Sequence, residues 1–141
     1  VNAVHSSVLP DGTYAGNPVA CAGALATIEY MLQIDINRKG EQVGKMLLNF
    51  FSKLKKECPA IGEVRGLGAM VAIELVKDQN PNLPDADLTK NLVAACAARG
   101  LFLISAGVYG NVIRVLCPLV ISQPMLKQGL EIMKEELLKL M

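Results

Sequence analysis

The stretch IGEVRGLGAMVAIELV, residues 61–76, predicts two β-strands joined at a glycine-containing turn. In its second half, Val71, Ile73 and Leu75 alternate with their neighbours, so one face of that strand is entirely apolar. The first residues, 61–65, predict a shorter strand. An apolar strand face is stable only when another layer of structure covers it, so the fold needs helices or a second sheet against this pair.

The segments before and after these strands are predicted to be helical, and their helices supply the layer that covers the apolar strand face. Apolar residues three and four positions apart predict a helix over Ile36–Glu57, which the pair Cys58-Pro59 ends. The predicted elements are, in chain order, a helix over Ile36–Glu57, strands over 61–65 and 69–76, a helix over 86–99 that stops at Gly100, strands over 101–105 and 112–116, and a last helix capped by Ser122. This order predicts an α/β (α+β) fold in which one small, mostly antiparallel sheet carries helices packed on one face.

The N-terminal part predicts a separate unit. Asn17 and Pro18 form a helix start, because Asn accepts backbone N–H bonds at the N-cap and Pro fits the first helical position. The helix that follows, over about 19–32, is rich in Ala, Gly and Cys, and small side chains allow close approach, so we expect it to be buried on more than one side. We therefore divide the chain into residues 1–34, a connector that packs against another body of protein, and residues 35–141, a small α/β domain.

The composition excludes several classes of function. Fourteen Lys and Arg residues stand against thirteen Asp and Glu residues, and nucleic-acid binding needs clustered positive charge, so we expect no nucleic-acid partner. No run of about 18 or more apolar residues is present, so we expect no transmembrane helix and no membrane partner. The hydrophobic fraction of 52% is enough to bury a core. The chain does not begin with Met, and we expect it to be a piece of a longer protein.

The cysteines and the histidine argue against metal and redox sites. The four cysteines are too far apart in the sequence for a metal knuckle or a redox pair, and they are Cys21, Cys58, Cys96 and Cys117. Cys21 and Cys96 lie among alanines in predicted helices, so we expect buried free thiols in a reducing compartment, and a cytoplasmic location. His5 is the only histidine, which excludes His-based catalytic triads and multi-histidine metal sites within this chain. We expect no metal site.

The stretch DGTYAGNP at residues 11–18 is the first candidate binding site. Gly12 and Gly16 allow the backbone to approach a ligand closely, and Thr13 offers a hydroxyl and an N–H group. Such a loop before a helix start can bind an anion such as a phosphate. A plain capped turn is the alternative, and composition by itself favours the turn.

Arg65 is the second candidate. It ends a predicted strand and is followed by two glycines, so its planar guanidinium could bind a carboxylate through two hydrogen bonds. The alternative is a surface ion pair with Glu63 or Glu74, which the spacing favours. The neighbouring Gly-x-Gly is not a dinucleotide-binding fingerprint, because the third glycine is missing and a strand follows.

Other polar residues are weaker candidates. Ser105 and Tyr109 flank a glycine-containing turn that could line a pocket. Arg114 lies in the middle of a predicted strand among apolar residues, and we expect it to pair with a local carboxylate. Lysines such as Lys45 and Lys53 lie on solvated helix faces, where a lysine is unsuited to Schiff-base chemistry.

Three segments together resemble class III pyridoxal-phosphate aminotransferases. The loop GTYAGNP at 12–18, before an Ala-rich helix, is similar to a loop of that family, and VRGLGAM at 64–70 is similar to a later motif. The stretch NVIRVL at 111–116 agrees with the family's ending, so the resemblance covers nearly the whole chain. It implies that residues 1–34 are the end of the large domain that binds pyridoxal 5'-phosphate, with its connecting helix. Residues 35–141 would then be the C-terminal small domain of a fold type I enzyme.

The resemblance also implies binding roles. Thr13, with Gly12 beside it, matches the threonine that binds the cofactor phosphate across a homodimer interface. Arg65 matches the arginine that binds the α-carboxylate of glutamate or 2-oxoglutarate. No residue here matches a catalytic residue, because the family's Schiff-base lysine lies upstream of the Gly-Thr loop. The resemblance therefore implies that this chain is inactive by itself, and that its partners are the rest of the same protein and a second subunit.

The activity implied is the transfer of an amino group from 4-aminobutyrate to 2-oxoglutarate. Other members of the family use ornithine, acetylornithine or a diamine as the amino donor and share both motifs, so these alternatives stay open. A non-catalytic α/β module that binds a ligand is the remaining interpretation.

Overall fold

The computed structural model describes residues 16–141. The predicted roles of His5, Gly12 and Thr13 lie outside the described residues. The chain divides into two compact units, and the second unit begins at Ile36. The assignment of these units to two domains of a larger enzyme stays a prediction.

The helix of the first unit is α1 (Pro18–Gln33). The side-chain Oδ1 of Asn17 accepts a hydrogen bond from the backbone N of Val19 at 2.9 Å, so the predicted N-cap is confirmed. No residue of α1 is buried and Cys21 is exposed, so the prediction of burial on more than one side is wrong for this chain. The physical reason is that no other described element belongs to this unit, so no second layer covers the small side chains.

The second unit has the predicted order of helices and strand pairs. Its elements are α2 (Ile36–Glu57), β1 (Ile61–Leu67), β2 (Met70–Leu75), α3 (Ala86–Ala98), β3 (Ile104–Ala106), β4 (Val112–Val115) and α4 (Gln123–Lys139). The strands form one sheet in the order β1-β2-β4-β3, and every neighbouring pair is antiparallel. The predicted α/β fold with a small antiparallel sheet is therefore confirmed.

The sheet has an inner face, on which the helices pack, and an outer face on the opposite side. Val71, Ile73 and Leu75 of β2 are fully buried on the inner face, and Ile113 of β4 lies opposite Ile73. Their cluster contains side chains from all three helices, among them Leu47 and Phe51 of α2, Leu92 and Cys96 of α3, and Met133 and Leu137 of α4. Burial of an apolar side chain of this size stabilises the folded state by about 1.5–3 kcal/mol. The predicted apolar strand face is thus the surface that joins the helices to the sheet.

β1 and β3 differ from the prediction by two or more residues at one end, whereas the ends of β2 and β4 differ by at most one residue. β1 continues to Leu67, because a two-residue turn that begins at Gly68 joins it directly to β2. Gly68 has a φ of +55°, a conformation that glycine adopts without strain. β3 begins at Ile104 because the chain before it still closes the end of α3, where the backbone N of Leu101 donates a hydrogen bond to the carbonyl of Cys96 at 2.9 Å.

The ends of α3 and α4 follow the expected capping pattern. The Oγ of Ser122 accepts a hydrogen bond from the backbone N of Met125 at 3.4 Å, as predicted. The Oδ1 of Asp85 accepts one from the backbone N of Leu88 at 3.0 Å and so caps α3. Gly100 follows α3 with a φ of +80°, the left-handed stop predicted for it. In the described part of the chain, no single helix is long and apolar enough to cross a lipid bilayer.

Gly44 marks the closest approach of α2 to the turn between β1 and β2, and this generates a stability prediction. A Cβ atom at Gly44 would overlap the backbone carbonyl of Gly68, whereas a Cβ at Gly40 would lie 3.7 Å from Leu119 Cδ1, an ordinary contact. We expect Gly44→Ala to lower the free energy of unfolding by about 1–3 kcal/mol, as overpacking does. Gly40→Ala in the same helix should leave it unchanged or raise it by up to about 1 kcal/mol, because alanine is the better helix former. Urea unfolding measures both, and equal losses would contradict the close approach.

Candidate functional site

Arg65 lies in β1, the edge strand, with its backbone opposite Ala72 of β2 and its side chain on the outer face. Its Nη1 donates hydrogen bonds to Oε2 of Glu63 at 2.6 Å and to Oε2 of Glu74 at 2.7 Å. The local ion pair that the spacing favoured is therefore present. A substrate carboxylate would have to compete with two protein carboxylates for this part of the guanidinium.

The hydrogen bonds of this cluster shift the pKa values of its members. The hydrogen bond from Arg65 is the main cause that lowers the pKa of Glu74, and a hydrogen bond from Asn111 acts in the same direction. In return, the hydrogen bond to Glu74 is the main cause that raises the pKa of Arg65. Both groups are therefore charged at neutral pH. The side chains are 45% and 26% exposed, so the ion pair adds only modestly to stability.

Asn111 connects this cluster to the strand behind it, and it was not among the residues predicted from the sequence. It is 2% exposed. Its side-chain Nδ2 donates hydrogen bonds to the carbonyl of Leu75 at 2.9 Å and to Oε1 of Glu74 at 3.3 Å. Its backbone carbonyl accepts one from the backbone N of Leu75 at 2.8 Å. The sequence feature that could have indicated this role is an Asn that follows Gly110 at the start of a predicted strand. The same pattern also suits an ordinary turn.

Arg114 lies on the outer face in the same row as Arg65. In the strand register it is opposite Ala72 of β2 and Ile104 of β3, so a small alanine separates the two arginines. Arg114 is exposed and forms no ion pair with any residue of 16–141. The expected pairing with a local carboxylate is therefore wrong. The reason is the register, which places alanine and isoleucine, and no acidic residue, beside it.

A groove of about 400 Å³ borders Arg114, between the β3–β4 hairpin and α4. Its lining is mostly apolar and includes Phe102, Leu103, Ile104, Leu116 and Met125. The other arginine of the lining is Arg99, which is paired with Glu135 at 2.6 Å and Glu136 at 2.9 Å. The lining of this groove is therefore mostly apolar, and it includes Arg114, which has no ion pair with a described residue.

Ser105 and Tyr109 do not contribute to that groove. Both are exposed, and neither is among the residues that line it. The turn between them, which the sequence offered as a weak pocket candidate, does not border this groove.

The cysteines are free thiols, as expected, and three of them are at least partly buried. Burial raises the pKa of Cys58 and Cys117, and it raises the pKa of Cys96 to about 11. These thiols therefore stay protonated at neutral pH and are poor nucleophiles. Among residues 16–141, no cluster of His, Cys, Asp and Glu could hold a metal ion.

The described residues do not by themselves fit pyridoxal 5'-phosphate. An enzyme that uses this cofactor holds it through a lysine and polar groups in an enclosed site. No lysine of residues 16–141 is buried. The residues expected to bind the cofactor phosphate, Gly12 and Thr13, lie outside the described part. A complete cofactor site would need groups that residues 16–141 do not supply.

Comparison with known proteins identifies related sequences. The family model described as "Aminotransferase class-III" matches residues 2–137. The 4-aminobutyrate aminotransferase GabT of Escherichia coli is 45% identical over 124 residues, which are 88% of this chain and 29% of that protein. The 5-aminovalerate aminotransferase DavT of Pseudomonas putida is 42% identical over 88% of this chain and 29% of its own length. The chain therefore spans about 29% of the length of these relatives.

Solved structures show the same fold. An aminotransferase from Bacillus anthracis superposes with a TM-score of 0.83 and 32% identity, over 91% of this chain and 30% of that one. The acetylornithine aminotransferase from Elizabethkingia anophelis superposes with a TM-score of 0.76 and 30% identity, over 91% of this chain and 30% of that one.

The ion pair between Arg65 and Glu74 generates a prediction on stability and pH. The pKa of Glu74 is lowered from 4.5 in the folded state, so its contribution is present above that value and is lost as the pH falls through the folded pKa. We expect Glu74→Gln to lower the free energy of unfolding at pH 7, and the difference from the unsubstituted protein to shrink as the pH falls below 4.5. Urea unfolding across pH measures it.

Glu131→Gln is the matched control, since Glu131 is exposed and forms no ion pair with a described residue. It should change the stability little at any pH. A Glu74→Gln deficit that is as large at pH 3 as at pH 7 would show that the charge of Glu74 is not what stabilises the fold.

Proposed function

Because this chain belongs to the class-III aminotransferase family, we propose that the protein of which it is part transfers an amino group from 4-aminobutyrate to 2-oxoglutarate. The observation that carries the proposal is the 45% identity to a relative named for 4-aminobutyrate. Two further relatives with that substrate in their names are 43% and 41% identical. The non-catalytic ligand-binding module is the weaker interpretation, because the family match extends over residues 2–137.

A second amino donor has support of nearly the same strength. Relatives named for 5-aminovalerate are 42% and 40% identical over 88% of the chain. 5-Aminovalerate is one methylene longer than 4-aminobutyrate, and an apolar pocket discriminates one methylene by only about 1–3 kcal/mol. We therefore propose 4-aminobutyrate as the preferred donor and 5-aminovalerate as a slower one. Ornithine, acetylornithine and diamines are the remaining alternatives.

The proposal includes the cofactor pyridoxal 5'-phosphate, which withdraws electrons from the substrate carbon when bound in such an enzyme. Gly12 and Thr13 are proposed to bind its phosphate, in a site completed by the rest of the protein and by a second subunit. The sequence feature that supports them is a glycine-rich loop before the capped start of α1, where backbone N–H groups can bind an anion. Four free cysteines fit a reducing compartment, so the proposed location is the cytoplasm.

The α-carboxylate of 2-oxoglutarate is proposed to bind an arginine on the outer face. The resemblance assigns Arg65 to this role, and we retain it as a hypothesis. The geometry favours Arg114 as the competing candidate, because Arg65 already donates to two carboxylates whereas Arg114 forms no ion pair with a described residue and borders an apolar groove. An anion near Arg65 would also meet the negative charges of Glu63 and Glu74, which oppose its binding.

The amino donor is tested with the intact protein that carries this chain. We expect the highest kcat/KM with 4-aminobutyrate, a lower value with 5-aminovalerate, and little turnover with ornithine, acetylornithine or a diamine, all with 2-oxoglutarate as acceptor. The chain of residues 1–141 alone should show no turnover, because no lysine of its described part lies in an enclosed site. A higher kcat/KM with any other donor would replace 4-aminobutyrate, and turnover by the chain alone would refute its proposed dependence on the rest of the protein.

The two arginines are separated by substitution in the intact protein. Removal of the arginine that binds the carboxylate should lower kcat/KM for 2-oxoglutarate at least about thirtyfold, since a lost charge-paired contact costs about 2 kcal/mol or more. We expect this for Arg114→Ala. Arg65→Ala should lower the free energy of unfolding and change kcat/KM less. The reverse result would assign the carboxylate to Arg65, and normal values in both variants would remove the outer face from substrate binding.

A further inference from the structure

We propose that Asn111 is a positioning residue that fixes the register of β4 on β2 and thereby holds Arg114 on the outer face. The proposal rests on the proposed function for what Arg114 binds. It goes beyond that function because it assigns a role to a buried side chain that contacts no substrate.

The side chain and the backbone of Asn111 both bond to the same residue of β2. The backbone carbonyl of Asn111 accepts from the N–H of Leu75 at 2.8 Å, and its side-chain Nδ2 donates to the carbonyl of Leu75 at 2.9 Å. The second bond of Nδ2 goes to Oε1 of Glu74 at 3.3 Å. Both of these side-chain partners are acceptors, so only the amide nitrogen can face them, and this defines the orientation of the amide group. Asn111 thus connects the N-terminal end of β4 to both the backbone N–H and the backbone carbonyl of Leu75.

The register matters because the pairing between β2 and β4 is short. It consists of four residue pairs, from Val71 opposite Val115 to Glu74 opposite Val112. In this register Arg114 lies opposite Ala72, on the outer face. Side chains alternate along a strand, so a slip by one residue would move Arg114 to the face that the helices cover. The bonds of Asn111 beyond the last pair therefore add to the packing of Ile73 against Ile113 in fixing the face on which the guanidinium lies.

The loop before β4 offers no apolar anchor that could do this instead. Val108 is 98% exposed and Tyr109 is 68% exposed, and Gly107 and Gly110 on either side have φ values of +84° and +65°. Asn111 is the buried polar residue of this hairpin, at 2% exposure. Removing this buried amide would take one donor from Oε1 of Glu74 and one of two donors from the carbonyl of Leu75, which also accepts from the backbone N of Asp85 at 3.0 Å.

The test uses the intact protein and measures its two half-reactions separately in single turnovers, one with 4-aminobutyrate and one with 2-oxoglutarate. Asn111→Ala should lower the rate constant per concentration of 2-oxoglutarate about tenfold, the change that ~1.4 kcal/mol produces. The half-reaction with 4-aminobutyrate should stay within about twofold. In the variant that also carries Arg114→Ala, the loss should be no larger than with Arg114→Ala alone, because the two residues act as one unit.

Asn111→Asp is the second variant, with the same shape but no donor at neutral pH. It should cause a loss at least as large as Asn111→Ala. Asn91→Ala removes an exposed asparagine from α3 and is the matched control, for which no change is expected in either half-reaction.

Three results would overturn the proposal: full activity of Asn111→Ala, equal losses in both half-reactions, or a loss that adds to that of Arg114→Ala. If neither Asn111 variant folds, Asn111 serves general stability and the proposal also fails. If Arg114→Ala leaves the 2-oxoglutarate half-reaction unchanged, the proposed carboxylate contact fails and this inference fails with it. Impairment by Arg114→Ala without impairment by either Asn111 variant overturns the inference alone.

Discussion

The antiparallel register of β2 against β4 determines which side chains of the second unit face the helices and which face away. Ile73 and Ile113 lie opposite each other in the core, and the next pair along, Ala72 and Arg114, lies on the outer face. Because side chains alternate along a strand, the register that buries the two isoleucines also places the guanidinium of Arg114 on the opposite, exposed face. A slip by one residue would bury a charge and expose apolar surface, and both changes are unfavourable. The apolar packing of the inner face therefore also arranges the charges of the outer face.

The two arginines of the outer face differ in their electrostatic surroundings. Arg65 is bonded to Glu63 and Glu74, so its cluster carries more negative than positive charge. Arg114 is flanked by Ala72 and Ile104 and has no acidic neighbour in its row. A free carboxylate is attracted to an uncompensated guanidinium and repelled by an overcompensated one. This difference, which follows from strand pairing, is the basis for preferring Arg114 as the contact of an anionic substrate.

Membership of the class-III aminotransferase family gives the exposed surfaces of this chain a context. Leu67 is 83% exposed and Met70 is 57% exposed on the outer face, and Phe102 is 86% exposed at the groove. Large apolar side chains that share an exposed surface are typical of interfaces. The chain spans about 29% of the length of the relatives that it matches.

Local sequence was sufficient for the elements of this protein. The bounds of α2, the caps at Asn17 and Ser122, the stop at Gly100 and the apolar face of β2 were all predicted, because they depend on residues a few positions apart. The family was also readable from three short motifs. The spacing already favoured the ion pair of Arg65 with Glu63 or Glu74. Only the tertiary structure decided that Arg114 has no ion pair with a described residue and that Asn111 is buried against Leu75. The exposure of Cys21 likewise follows from the structure, in which no residue of α1 is buried. Charge pairing and burial depend on which distant residues become neighbours, and strand order and register settle that only when the chain is folded.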